Sequence, residues 1–168
     1  MDVLMIVLRL LHILSGVFWS GTVFFLVSFL TPAVQAAGPE GGKVMQRLAL
    51  SSFPKALPGI ASLTVLSGLA MYWDKYVAFN VWSTRAGLTL GFGGVMGLIA
   101  LFIGLLVTAP AINRLADFAR AGMASGKPPS PEQMKEIQAL QIKMTGAAVW
   151  NAIFLALATA AMATARYL

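Results

Sequence analysis

The chain has 168 residues, 58% of them hydrophobic and 11% charged, with a formal net charge of +6. That is too little polar surface to clothe a soluble globule of this size, so the composition points to an integral membrane protein. Nucleic acid is not an expected partner, because the basic residues fall mainly at helix ends and in loops rather than on a stripe with interleaved aromatics. The absence of cysteine excludes disulfides, thiolate metal sites and cysteine nucleophiles.

The first apolar run covers residues 3–37 and ends in Gly38-Pro39-Glu40-Gly41-Gly42, a helix-stopping cluster. Its start, Met1-Asp2, lacks the positive region of a signal peptide and the run is far longer than a signal core, so it is expected to persist as a helix. This run holds the only histidine, His12, three residues after Arg9. His12, Gly16, Trp19 and Val23 recur at helical spacing, and with Arg9 they approach one face.

An ionisable pair at membrane depth is costly unless it faces protein, water or a ligand. With a helix starting near Val3, His12 sits about 14 Å below its outer end at 1.5 Å per residue. A neutral imidazole there can ligate a metal or haem iron, relay a proton, or simply hydrogen-bond a carbonyl. Arg9 is shallower and can snorkel outward as an anchor, pair with Asp74, or hold an acidic ligand group such as a propionate.

The second apolar helix is expected at residues 54–72, entered through Pro54 and Pro58. Residues 73–84 read as a polar, aromatic connection, and the third helix follows at residues 85–122. Arg85, at its start, is a second candidate to meet an acidic group. The third helix carries Gly87, Gly91, Gly93, Gly94 and Gly97, a spacing that lets membrane helices approach closely. Gly94→Leu is therefore expected to overpack this face. A helical face with so many glycines is also flat enough for a planar cofactor, and Ala148, Ala152, Ala156 and Ala160 offer a similar face on the fourth helix.

Ser130, then Pro131 at the first helical position and Gln133, form a capping-box signature, and the fourth helix is expected at residues 131–166. Asn151 is its only strongly polar deep residue, with hydrogen bonding to a neighbouring helix or to a ligand as its two uses. Among the methionines, Met71 lies within a span and is the thioether candidate for a metal, although methionine is also routine core filler.

Helices one, three and four exceed 30 residues, or about 50 Å, against a hydrocarbon core of about 30 Å. Their excess falls on one side, together with Lys43, Arg47, Lys55, Arg114, Arg120, Lys127, Lys135 and Lys143, whereas Arg9, Lys75, Arg85 and Arg166 lie on the other. Eight against four puts the projecting side in the cytoplasm and both termini outside. Tyr72, Trp73, Tyr76, Phe79, Trp82 and Tyr167 would form an aromatic belt at the outer interface. Thr31-Pro32-Ala33-Val34 in helix one resembles Thr108-Ala109-Pro110-Ala111-Ile112 in helix three, a weak internal repeat of two parallel hairpins or a chance likeness. The expected fold is a single all-α domain, an integral membrane four-helix bundle with long helices projecting on the cytoplasmic side.

Leu11-His12 with Trp19 and Gly21 in the first helix, and a basic residue at the outer start of the third, resembles the copper resistance D family and related small bacterial membrane proteins. That group includes the four-helix membrane protoporphyrinogen oxidase of the HemJ type. The resemblance implies a bacterial inner membrane location and b-type haem, with His12 matching the family's first-helix histidine. Arg85 stands where that oxidase has a lysine, which removes a titratable amine. The oxidase's further histidines are absent here.

Three functions follow as expectations. The first is haem b binding through His12, with Arg9, Arg85 and Trp19 around the cofactor, in electron transfer or tetrapyrrole handling. The second is transport of, or resistance to, a metal ion such as copper, past His12 and Met71. The third is a non-catalytic subunit whose Gly and Ala faces bind partner helices or a second copy of the chain.

Overall fold

The computed structural model describes residues 3–77, 83–126 and 128–168, and every regular element among them is helical. Helix α1 runs Val3–Ala36, α2 Pro39–Leu50, α3 Phe53–Val77, α4 Arg85–Ser125 and α5 Pro131–Tyr167. All but α2 are long and apolar enough to cross a membrane. At 1.5 Å per residue, α4 spans about 60 Å and α5 about 55 Å, roughly twice a hydrocarbon core.

Between 17% and 22% of each apolar window is buried inside the protein, so the helices stay apolar on the faces they turn outward. Leu14, Val17, Phe29, Leu66 and Leu106 are among the large exposed side chains. A helix apolar on all sides suits a surrounding solvent of lipid.

The interior is thin, with alanines making up much of what is buried around a few larger side chains. Trp19 and Val23 of α1, Ala61 and Val65 of α3, Ala100 of α4 and Leu155 of α5 form its central cluster, so each long helix contributes. The closest pairings are α1 with α3 and the first half of α4 with α5. In the second, a Cβ at Gly93 would lie 3.2 Å from the Ala158 carbonyl oxygen and from Ala161 Cβ. The glycine is thus what sets the α4–α5 distance. A Cβ at Gly94 would have nothing within 4 Å, so the overpacking expected of Gly94→Leu belongs to Gly93 instead. The small face of α5 is likewise rotated from expectation. Asn151, Leu155, Ala158 and Ala161 are buried, whereas Ala156 and Ala160 are exposed.

The stop expected after residue 37 is a turn rather than the end of helical structure. Gly38 takes a positive φ of 56°, and Pro39 then opens α2 at the position where a missing N–H costs nothing. Gly41 lets α2 fold back on α1, since a Cβ there would lie 2.0 Å from the Val34 carbonyl oxygen. The capping box of α5 forms as expected. Gln133 N donates to Ser130 Oγ and Ser130 N donates to Gln133 Oε1.

Helices α1 and α4 each contain a π-helical segment, Leu26–Leu30 and Gly104–Thr108, ending just before Pro32 and Pro110. Thr31 N bonds to Leu26 O and Ala109 N to Gly104 O, five residues back. A proline inside a helix removes a donor and crowds the carbonyl four residues earlier, and one inserted residue relieves both. The two Pro-bearing segments whose sequences resemble one another therefore share a backbone irregularity as well.

Of the expected aromatic belt, Tyr72 stacks on Tyr76 with ring centroids 5.4 Å apart, and Trp73 and Tyr167 are exposed. Phe79 and Trp82 lie outside the described residues, as does Lys127 of the basic set.

Candidate functional site

His12 lies in the contact between α1 and α3. Its Nδ1 is 2.7 Å from the carbonyl oxygen of Thr64, and an oxygen without a hydrogen can only accept. Nδ1 therefore carries the proton. Nε2 is the ring nitrogen left for a ligand and has no hydrogen-bond partner among the described residues.

The glycine at 68 makes this possible. A Cβ there would lie 2.7 Å from His12 Cε1 and 2.9 Å from Nδ1, so only a residue without a side chain lets the imidazole lie against α3. Below the ring, polar groups continue across the helix pair. Thr64 Oγ1 donates to Ser15 Oγ at 2.8 Å, Ser15 Oγ donates to Leu11 O, and Thr64 Cγ2 packs where Gly16 has no Cβ. Ser67 Oγ lies 3.1 Å from the same carbonyl, but its one proton goes to Leu63 O at 2.6 Å.

The other expected site residues fall at different distances from this point. Trp19 is buried in the central cluster, two turns further along α1 and about 10 Å deeper at 1.5 Å per residue. Met71 is half-buried on α3, seven residues beyond Thr64 and so on the same stripe of that helix. Arg9 is exposed, flanking His12 rather than sharing the buried face, and it forms no ion pair with Asp74. Arg85 is exposed at the start of α4. Near it, Tyr72 Oη donates to Gly87 O at 3.0 Å, and its ring occupies the space left by Gly91. The missing side chain at Gly91 therefore makes room for a tyrosine. Among the described residues, no three His, Asp or Glu side chains gather as a metal site would require.

A second feature escapes the sequence pattern. A cavity of about 90 Å3 opens in the middle of the four long helices, lined by Trp19, Leu57, Pro58, Leu101, Thr108 and Asn151 among others. His12 is not part of its wall. Asn151 Oδ1 and Thr108 Oγ1 are buried there without hydrogen-bond partners among the described residues.

No family model, curated protein or solved structure is significantly similar to the chain.

Proposed function

We propose that the chain is an integral membrane protein of the bacterial cytoplasmic membrane, a four-helix bundle with both termini outside, that binds b-type haem through His12 in electron transfer or tetrapyrrole handling. The observation that carries this reading is the Nδ1 hydrogen bond to Thr64 O. A metal-ligating histidine characteristically donates its other ring N–H to a carbonyl or carboxylate, which fixes the tautomer and raises ligand basicity. His12 has that arrangement, on an imidazole held by Gly68 between two helices. The resemblance of the first helix to the copper resistance D group adds the same cofactor.

The donor set fits haem in its chemistry: an imidazole whose Nε2 has no protein partner among the described residues, and Arg9 on the outer side within one turn as a partner for a propionate. Bound haem would supply a one-electron couple. The chain's own part is to hold His12 in one tautomer and to keep the ring away from water. The orientation is supported by the basic residues. Lys43, Arg47, Lys55, Arg114, Arg120, Lys135 and Lys143 are all exposed on the side to which α1, α4 and α5 extend.

The test is a visible spectrum of protein purified in mild detergent after expression with excess haem precursor. A Soret band present in wild type, lost in His12→Ala and weakened in Arg9→Ala is the expected result. Absence of haem from wild type, or full retention in His12→Ala, overturns the proposal. Copper bound without a Soret band and lost in His12→Ala would favour metal transport instead.

A further inference from the structure

Thr108 and Asn151 break the rule that many other polar residues of these helices obey. Ser15, Ser20, Ser67, Thr145 and Thr164 each donate to the carbonyl one turn back, which hides the hydroxyl from an apolar surrounding. Thr108 ends the π segment of α4 and has no such bond. Asn151 is 7% exposed, lies deep in α5, and its Oδ1 is likewise unsatisfied. A buried side-chain oxygen left without a partner is expensive, more so than an apolar group of the same shape.

Both groups line the same cavity, and so do Leu26 and Val27 of the α1 π segment and Gly104 and Leu105 of the α4 one. These two irregular turns thus converge on the cavity that Thr108 and Asn151 also line. π segments inside α-helices occur frequently at functional sites, because the inserted residue turns a side chain away from the regular ladder. Leu105, at the rim, is exposed and apolar, so the cavity communicates with the apolar exterior.

We propose that this cavity binds a small, neutral, lipid-soluble molecule with a hydroxyl-bearing aromatic ring, its hydroxyl meeting Asn151 Oδ1 and Thr108 Oγ1 and its ring meeting Trp19. Among the described residues no charged side chain lines the wall, so an ionised ligand would be desolvated without compensation. Asn151 Oδ1 accepts and the Thr108 hydroxyl can donate or accept, a pair that one ligand hydroxyl satisfies on both counts. Trp19, Phe53, Pro54 and Pro58 supply flat apolar surfaces suited to a ring. The site is separate from His12 and does not depend on haem.

The full chain with Trp73, Trp82 and Trp150 replaced by Phe leaves Trp19 as its sole tryptophan. Titration in detergent with 4-bromophenol, a heavy-atom quencher, should quench Trp19 saturably, whereas bromobenzene, the same ring without the hydroxyl, should require a higher concentration. Partition into micelles is cancelled by comparing the ratio of the two half-saturation concentrations between proteins. In Asn151→Leu and in Thr108→Val that ratio should fall by about threefold to tenfold, the worth of one hydrogen bond. Both changes remove an orphaned polar atom in favour of a similar volume, so helicity by circular dichroism should be retained. Should Asn151→Leu fail to fold, Thr108→Val carries the test. Unsaturable quenching, or a ratio unchanged in the variants, overturns the proposal and leaves a cavity filled by water or lipid.

Discussion

His12 and Gly68 form a lock across the α1–α3 contact: the imidazole occupies the volume that any side chain at position 68 would need, with 2.7 Å between His12 Cε1 and the position of a Cβ. The ring cannot retreat without giving up its Nδ1 bond to Thr64 O.

Gly68→Ala is therefore expected to displace the ring and lower stability by about 1–3 kcal/mol, the usual range for overpacking. Thr64→Val keeps the accepting carbonyl and loses only the hydroxyl bridge to Ser15, at a cost of about 0.5–1.5 kcal/mol. Thermal unfolding of both variants in one detergent ranks them. If the haem proposal holds, Gly68→Ala should also weaken the Soret band more than Thr64→Val does. Equal effects of the two would mean that the glycine is not what holds the imidazole.

On α4, adjacent glycines should behave oppositely. Gly93→Leu meets the Ala158 carbonyl and the Ala161 and Met162 side chains, and should be strongly destabilising or prevent folding. Gly94→Ala meets nothing within 4 Å and should be neutral or stabilising by up to about 1 kcal/mol through helix propensity. Melting temperatures in detergent check the sign of each.

For topology, a cysteine is best introduced at Gly42 and at Ser83. Gly42 has no atom within 4 Å of an added Cβ, unlike Gly41 beside it, and Ser83 is exposed between α3 and α4. An impermeant thiol reagent applied to intact cells should label Ser83→Cys and leave Gly42→Cys unmodified until the membrane is opened. The reverse pattern would invert the proposed orientation.

Where α4 and α5 extend beyond their closely packed halves, Arg114 joins Glu136 through Nε at 2.7 Å and Nη2 at 3.3 Å, with Phe118 4.6 Å from the guanidinium carbon. Both side chains are exposed, so solvent screens the pair and leaves it a minor contributor to stability. Glu136→Gln should leave the thermal midpoint close to that of wild type. A substantial loss would show that this end of the helix pair depends on the bridge.

The four long helices were legible because their signal is length and continuous apolarity, which tolerates errors of a few residues. The cap at Ser130 was legible because its chemistry is local. Helix α2 was not, because Gly-Pro-x-Gly-Gly carries the composition of a terminator while its proline and its close-approach glycine serve to start a new helix. His12 stood out as the lone imidazole, but its partners are a backbone carbonyl and a glycine, groups that every sequence contains in abundance and that no residue pattern singles out. Asn151 was visible as a polar outlier. That it would lack a partner depends on where α4 bends its ladder, which is a tertiary property.

The π segments also decide how the two halves of α1 and α4 relate to one another. Each inserted residue advances the helix by one position, about 100° of rotation at 3.6 residues per turn, without breaking the rod. The stripe carrying His12, Trp19 and Val23 thus does not continue in register into Thr31–Ala36, and α1 presents one azimuth before Leu26–Leu30 and another after it. Deleting a single residue from either segment should therefore leave a regular helix whose two halves keep their present neighbours. Straightening either segment at unchanged length would instead rotate everything beyond it by about 100° and turn the second half toward the wrong neighbour, an error invisible to hydropathy and to helix propensity.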